Sequence, residues 1–242
     1  MKLLGLSPIL ALLLLSGVLP ASAGTTDGRL KGSFRRPDQN GWIYVHLEGA
    51  PATIGFQHGY LLAAEIEDSK RAIELGTTHD TGKSWEELRS IANQIFLPKV
   101  PSEYRQELQG IADGLKIRGS KLDLLDLVTM NGYMEFDYYL DEMRRRSGQL
   151  SSRSVAEHCS AFITTGSATK KGQIVIGHNN WSDYLTGSRW NIIFDIVPKE
   201  GHHILMDGMP GLIHSGDDFG INDAGMMITE TTIANFHGFN EN

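Results

Sequence analysis

The sequence predicts an α+β protein, because apolar residues recur at helical spacing over most of residues 53–144 and at a spacing of two beyond residue 158. A polar linker, residues 147–156, separates the two regimes with Ser147, Gly148, Ser151, Ser152, Arg153 and Ser154. Helices therefore come first and strands second, with a break near residue 158. No internal repeat is visible.

Residues 1–23 stand apart from the fold. Lys2 gives a basic start, Leu12, Leu13, Leu14 and Leu15 lie in an apolar core, and Ala21-Ser22-Ala23 supplies the small-residue pattern of signal-peptide removal. Residues 24–40 are polar and carry Gly28, Gly32 and Pro37, as a loose lead-in does. Trp42, Ile43, Tyr44, Val45, His46 and Leu47 then make a short strand. After Pro51, the spacing of Ile54, Leu61, Leu62, Ile66 and Ile73 predicts one long helix over residues 53–75. Gly55 and Gly59, one turn apart near its start, leave room for another backbone or a ligand. His58 between them reads as a packed, hydrogen-bonded histidine.

Gly82-Lys83-Ser84 imitates a phosphate loop without its spacing, since Gly76 leaves five intervening residues where four are required, and a helix precedes it instead of a strand. Ser84 with Glu87 is instead a capping box for a helix running to Leu97, where Pro98 ends it. Pro101-Ser102-Glu103 opens a further helix with Leu108, Ile111 and Leu115 on one face, closing near Gly119. Residues 122–144 continue as helix, with Tyr133, Phe136, Tyr138 and Tyr139 read as core in preference to a lipid-contacting wall. Arg144-Arg145-Arg146 is a solvated helix end, a terminus that favours cations. Beyond the linker, strands are expected at 159–165, 173–179, 189–197, 202–206 and 225–232.

The formal net charge of -7, with no basic stripe to offset it, excludes a nucleic-acid partner. No segment after the signal peptide approaches the roughly 18 uninterrupted apolar residues of a membrane span, so no stable span is expected. The leader implies export, to a secreted or periplasmic location or, in a eukaryote, a lysosomal-type lumen. Exported proteins use cysteines in pairs. Cys159 is the only cysteine in 242 residues, which leaves a reactive thiol or an intermolecular bridge.

Cys159 also stands at the first position of a strand, after Glu157-His158 and before Ser160-Ala161-Phe162-Ile163. If the chain is cut just before it, one residue supplies both a thiol nucleophile and a free α-amine. The ordinary α-amine pKa of roughly 7.7 to 8.0 suits a general base near neutral pH. The cut can be self-inflicted: the thiol attacks the His158 carbonyl, and water resolves the thioester. The ordinary alternative is a small buried hydrophobe.

Several blocks together resemble one known family: Gly55-Phe56-Gln57-His58-Gly59-Tyr60-Leu61-Leu62, Gly110-Ile111-Ala112-Asp113-Gly114, His158-Cys159-Ser160-Ala161, Gly177-His178-Asn179-Asn180-Trp181, and Ser215-Gly216-Asp217-Asp218-Phe219 with Glu230-Thr231-Thr232-Ile233. In order and spacing they resemble the phospholipase B-like family of N-terminal-nucleophile hydrolases, related to the acyl-CoA:6-aminopenicillanic acid acyltransferases and the bile-salt hydrolases. The resemblance implies a four-layer αββα sandwich, a precursor cut at His158-Cys159, and hydrolysis of acyl bonds. It divides the chain into a signal peptide (1–23), a helical N-terminal part (24–158) and the start of a β-rich catalytic part (159–242). Residues 235–242 hold no closing strand or helix, so the sandwich is expected to be incomplete at the C-terminus.

In the bile-salt branch an arginine stands at the place of His178, and an aspartate three residues on contacts the new amine. Here His178 and Trp181 occupy those places, as in the phospholipase B-like branch. A hairpin brings His178 beside Cys159, although a structural strand histidine is its plain alternative. Asn179 and Asn180 are oxyanion donors or simply turn formers. Related branches place an asparagine donor near Thr232, which makes Thr231 and Thr232 weaker oxyanion candidates. Asn222-Asp223-Ala224-Gly225 reads as a hairpin turn, and Asp217-Asp218 as a turn or solvated loop, since neighbours on a strand face opposite ways. For the same reason His202-His203 does not hold a shared metal, and no His-Glu-x-x-His or Gly-x-Ser-x-Gly occurs. No cofactor or metal is implied. The reading is an exported, self-processing cysteine hydrolase that deacylates an acyl lipid or an N-acyl amide through a thioester. Its alternatives are a catalytically inactive relative that binds lipid or protein through the same fold, and a papain-like thiol hydrolase active as an uncut chain.

Overall fold

Alternation along residues 43–49 orients the sheet: Ile43, Val45 and Leu47 are buried, while Tyr44, His46 and Glu48 point to the opposite face. The computed structural model describes residues 27–149, 159–215 and 219–231. The signal-peptide pattern, His158, Asp217, Asp218, Thr232 and residues 235–242 lie outside them.

The first half of the chain runs β1 (Phe34–Arg35), β2 (Ile43–Gly49), α1 (Pro51–Leu61), α2 (Ala63–Thr81), α3 (Trp85–Ile91), α4 (Ser102–Ile117), α5 (Leu124–Asn131) and α6 (Glu135–Arg146). The second half runs β3 (Ser160–Gly166), β4 (Gly172–Asn179), α7 (Tyr184–Gly187), β5 (Ile192–Pro198), β6 (Ile204–Gly208), β7 (Gly220–Asn222) and β8 (Met227–Ile228). Six strands form one sheet in the order β1-β2-β5-β6-β7-β8, and β3-β4 is a separate hairpin. Every neighbouring pair is antiparallel except β2 with β5, which run parallel from Ile43 opposite Ile192 to Gly49 opposite Pro198. Residues on the two sides of the polar linker thus share one sheet.

They share one core as well. Val45, Leu47, Ile192 and Phe194 from the sheet join Leu62, Ile66, Ile73, Ile111 and Leu115 from the helices in a single buried cluster. The fold is α+β, with helices on one face of a mixed sheet.

The glycines of α1 find another backbone and not a ligand. A Cβ on Gly55 would sit 1.9 Å from the Glu107 carbonyl oxygen, and one on Gly59 2.1 Å from that of Ile111. The relation is mutual: Gly110 abuts the Ala52 carbonyl and Gly114 the Phe56 carbonyl, each at 2.3 Å from where a Cβ would stand. Spacing of four residues on both helices therefore zips α1 to α4 with no side chain between them.

Several boundaries differ from the sequence expectation. The long helix over 53–75 is two helices, broken at Leu62 (φ -117°, ψ 23°), so that α1 lies on α4 while α2 turns Ile66 and Ile73 into the core. The helix expected to reach Leu97 is regular only to Ile91 and continues as a wider turn, Ala92–Phe96. Residues 122–144 break at Gly132, where a Cβ would stand 2.6 Å from the Phe96 ring. Of its aromatics only Phe136 is fully buried. The strand expected at 225–232 is only Met227–Ile228, and β7 ahead of it was not expected. Between them Asn222 Oδ1 accepts from Met226 N–H at 2.9 Å, and Gly225 takes φ 79°, which makes the expected turn. The capping box of Ser84 and Glu87 is present. Gly82 is a left-handed helix cap, which disposes of the phosphate-loop likeness. The three arginines close α6, where Arg145 and Arg146 pair with Asp141 and Glu142.

Candidate active site

Cys159 precedes β3 immediately, and its sulfur is free and only partly buried. β-Branched and aromatic residues from Phe162 to Thr165 favour the strand, while Lys171 (φ 63°) and Gly172 (φ 71°) turn it back into β4. Ser160 lies opposite Asn179 and Ala161 opposite His178, so the register continues with Cys159 across from Asn180. On an antiparallel pair, opposed residues share a face and alternate ones repeat it. Cys159, Ala161 and His178 therefore share one face of the hairpin.

The backbone N–H of Trp181 donates to Cys159 Sγ at 3.3 Å and fixes the sulfur at the mouth of the hairpin. His178 Nε2 is buried and has no hydrogen-bond partner among the described residues. A buried ring nitrogen without a partner is an unsatisfied hydrogen-bonding group, the kind that calls for a functional explanation. Asn179 lies on the other face and gives its Nδ2 to Ser160 Oγ at 3.3 Å. Thr231 follows the edge strand of the six-stranded sheet, away in sequence and in sheet from the cysteine hairpin. The hairpin thus places Cys159, His178 and Asn180 on one face with the Trp181 N–H on the sulfur and Asn179 on the other face, while Thr231 follows a strand of the other sheet.

Trp181 also walls a cleft of about 690 Å³ that runs between the end of α2, the start of α6 and the segment leading into α7. Sequence reasoning passed over this cleft because its residues come from three distant stretches. The one available signal was the hydroxyl tips of Tyr133 and Tyr138, which a fully apolar core would not favour and which the fold leaves partly buried.

Elsewhere, His58 is 2 % exposed and its Nε2 accepts from Gly211 N–H at 3.0 Å, with the ring tilted on Phe194. Burial lowers its pKa to about 3, so it is a neutral structural acceptor, as its packed reading required. On the open face of the sheet, Asp195 accepts from Tyr44, from His203 and from His46 Nδ1 at 2.8 Å. Burial alone would raise its pKa; the three donors outweigh burial and hold it at about 2. This network escaped the sequence, since its members pair only once β2, β5 and β6 align. His202 turns instead to Asp223 Oδ1 at 2.7 Å. Among the described residues no group of His, Cys, Asp and Glu is arranged to hold a metal ion, and no helix is long and apolar enough to cross a membrane.

Comparison with known proteins adds an independent line. The family model described as Phospholipase B matches residues 86–239, which include the cysteine hairpin. Phospholipase B-like protein C of Dictyostelium discoideum is 27% identical over 143 residues, 52% of this chain and 25% of the relative. The acyl-coenzyme A:6-aminopenicillanic-acid-acyltransferase 40 kDa form of Emericella nidulans is 26% identical over 201 residues, 81% of this chain and 48% of the relative. An uncharacterized protein of Archaeoglobus fulgidus is 27% identical over 201 residues, 78% of this chain and 32% of the relative. The chain spans between a quarter and about half the length of these relatives.

Proposed function

Since the chain belongs to the phospholipase B family, we propose that it is an exported acyl hydrolase of the N-terminal-nucleophile type, with Cys159 as nucleophile and a lipid ester or N-acyl amide as substrate. The observation that carries this reading is a lone, partly exposed thiol at the head of a strand, held by the Trp181 N–H and on the same hairpin face as His178, whose Nε2 has no partner among the described residues. A buried structural cysteine would show neither accessibility nor an aimed donor.

Maturation is a cut before Cys159. Its sulfur adds to the His158 carbonyl carbon, the peptide C–N bond breaks to give a thioester and a free α-amine, and water hydrolyses the thioester to leave a carboxylate at His158. In turnover the α-amine accepts the thiol proton as sulfur bonds the acyl carbon. The same proton passes to the departing alcohol or amine as its bond to that carbon breaks. Water then attacks the thioester, releasing the carboxylic acid and restoring the thiol. Asn180, across the hairpin from Cys159, is the first side-chain candidate for the oxyanion, with Thr231 and Thr232 secondary, while His178 and Trp181 orient the amine. The reading carries with it the four-layer αββα arrangement, supported here by two separate sheets and by helices on one face of the larger.

Intact mass and amino-terminal sequencing of the secreted protein, beside Cys159→Ala, test it. Two fragments, one beginning at Cys159, with acyl release from wild type and neither from Cys159→Ala, are expected. Acyl release by a chain that stays whole overturns the proposal in favour of a papain-like thiol enzyme. Ligand binding without turnover points to the inactive relative.

A further inference from the structure

The cleft beside Trp181 lacks an assignment. Its buried wall combines Ile73 with Thr77 and Thr186, Leu185 is partly buried beside them, and Leu75 and Met134 are 61% and 52% exposed. Unlike apolar side chains scattered singly over a surface, Ile73, Leu75, Met134 and Leu185 line one cleft, as the walls of a site for an apolar ligand do. Besides the phenols of Tyr133 and Tyr138, the ionisable groups lining it are Asp80, Asp137, Asp183 and His79, with no lysine or arginine. Asp183 is committed to capping Thr186, and Asp80 to His79 at 2.9 Å. A phosphate or a free carboxylate would meet three carboxylates there against one histidine, whereas a hydrocarbon chain meets Ile73, Leu75, Met134 and Trp181. The volume of about 690 Å³ lies within the range of small-molecule clefts.

Position joins this cleft to the chemistry. The residue whose backbone N–H holds the Cys159 sulfur is the residue whose side chain walls the cleft. Cys159 does not itself line the cleft; Trp181 is what joins the sulfur to that apolar space. We propose that the cleft holds the acyl chain of the substrate, with Leu75 and Met134 setting the chain length accepted. This rests on the Cys159 reading and adds to it a substrate class: acyl groups long enough to reach past Trp181, with any anionic head group directed away from the cleft.

Leu75→Trp and Met134→Trp fill the rim without touching the fully buried core, and Ile117→Trp, 59% exposed on α4, is the control for a surface tryptophan. The readout is kcat/KM across acetyl, octanoyl and palmitoyl esters of p-nitrophenol, with the matured full chain. Both cleft variants are expected to lower the palmitoyl-to-acetyl ratio by roughly tenfold or more, the scale of lost methylene contacts in a pocket, while Ile117→Trp keeps the wild-type ratio. In parallel, a palmitoyl amide of a fluorescent amine is titrated into Cys159→Ala, where Met134→Trp in addition should weaken binding by a similar factor. An unchanged ratio in both cleft variants, or unchanged probe binding, overturns the cleft assignment. Hydrolysis that persists in Cys159→Ala overturns the nucleophile reading instead, so the two failures are separable.

Discussion

Between α1 and α4 the contact is backbone against backbone, with Gly55, Gly59, Gly110 and Gly114 leaving no space for a methyl group. In the β3-β4 hairpin, by contrast, Phe162, Ile163, Ile174 and Val175 are 60, 68, 55 and 44% exposed. One region is filled to the limit of close packing, where any added atom forces the helices apart. The other holds the sulfur on a ladder of main-chain hydrogen bonds and buries almost nothing. The proposed chemistry and the tightest packing thus fall in different parts of one chain, and substitutions should sort accordingly.

The largest effect belongs to the hairpin and should leave stability alone. Cys159→Ala is expected to abolish acyl release, by at least about 10³-fold in kcat/KM, while urea unfolding shifts by less than about 1 kcal/mol because the side chain is only partly buried. A large loss of stability in this variant would merge the two regions. Next comes the helix pair. Gly55→Ala and Gly110→Ala should each cost about 2 kcal/mol or more by urea unfolding, since each new Cβ meets a carbonyl oxygen that no rotamer change can move.

A smaller effect follows pH. His58 is held neutral when folded, with a pKa of about 3 against 6.5 for the free side chain. Between those values the unfolded chain binds the extra proton, so the contribution is complete above pH 6.5 and declines as pH falls toward 3, by at most about 1.4 kcal/mol per pH unit. His58→Gln should flatten that part of the slope, measured by urea midpoints at pH 7 and pH 5. The smallest effect returns to the hairpin: Phe162→Ser and Ile163→Thr should alter stability by about 0.5 kcal/mol or less. A cost near that of Gly55→Ala would mean that the hairpin is packed as tightly as the helices.

Local rules were legible and long-range ones were not. Ser84 with Glu87, Pro101 and the alternation from Ile43 to Leu47 each carry their cause within a few residues, and each produced its element. The cysteine hairpin was equally readable, from Phe162 through the Lys171-Gly172 turn to Asn179. The break at Leu62 was hidden, since it separates a helix docked on Gly110 and Gly114, some fifty residues further along, from one that is not. β1, β7 and the shortness of β8 were hidden too, since such short strands exist only where a neighbour supplies the ladder. At the site, Cys159 and His178 stood out by residue type. The Trp181 amide did not, as every residue offers an N–H and only the fold decides where it points. The cleft needed Leu75, Met134 and Trp181 to meet, which no local pattern encodes.

The parallel ladder from Ile43–Gly49 to Ile192–Pro198 bears on what a break in the polypeptide ahead of Cys159 would look like. The two pieces would stay laced together as neighbouring strands over a common interior, migrating as one particle in gel filtration and parting only on a denaturing gel. Such a nick would turn one translation product into an obligate heterodimer that had never needed to find its partner by diffusion.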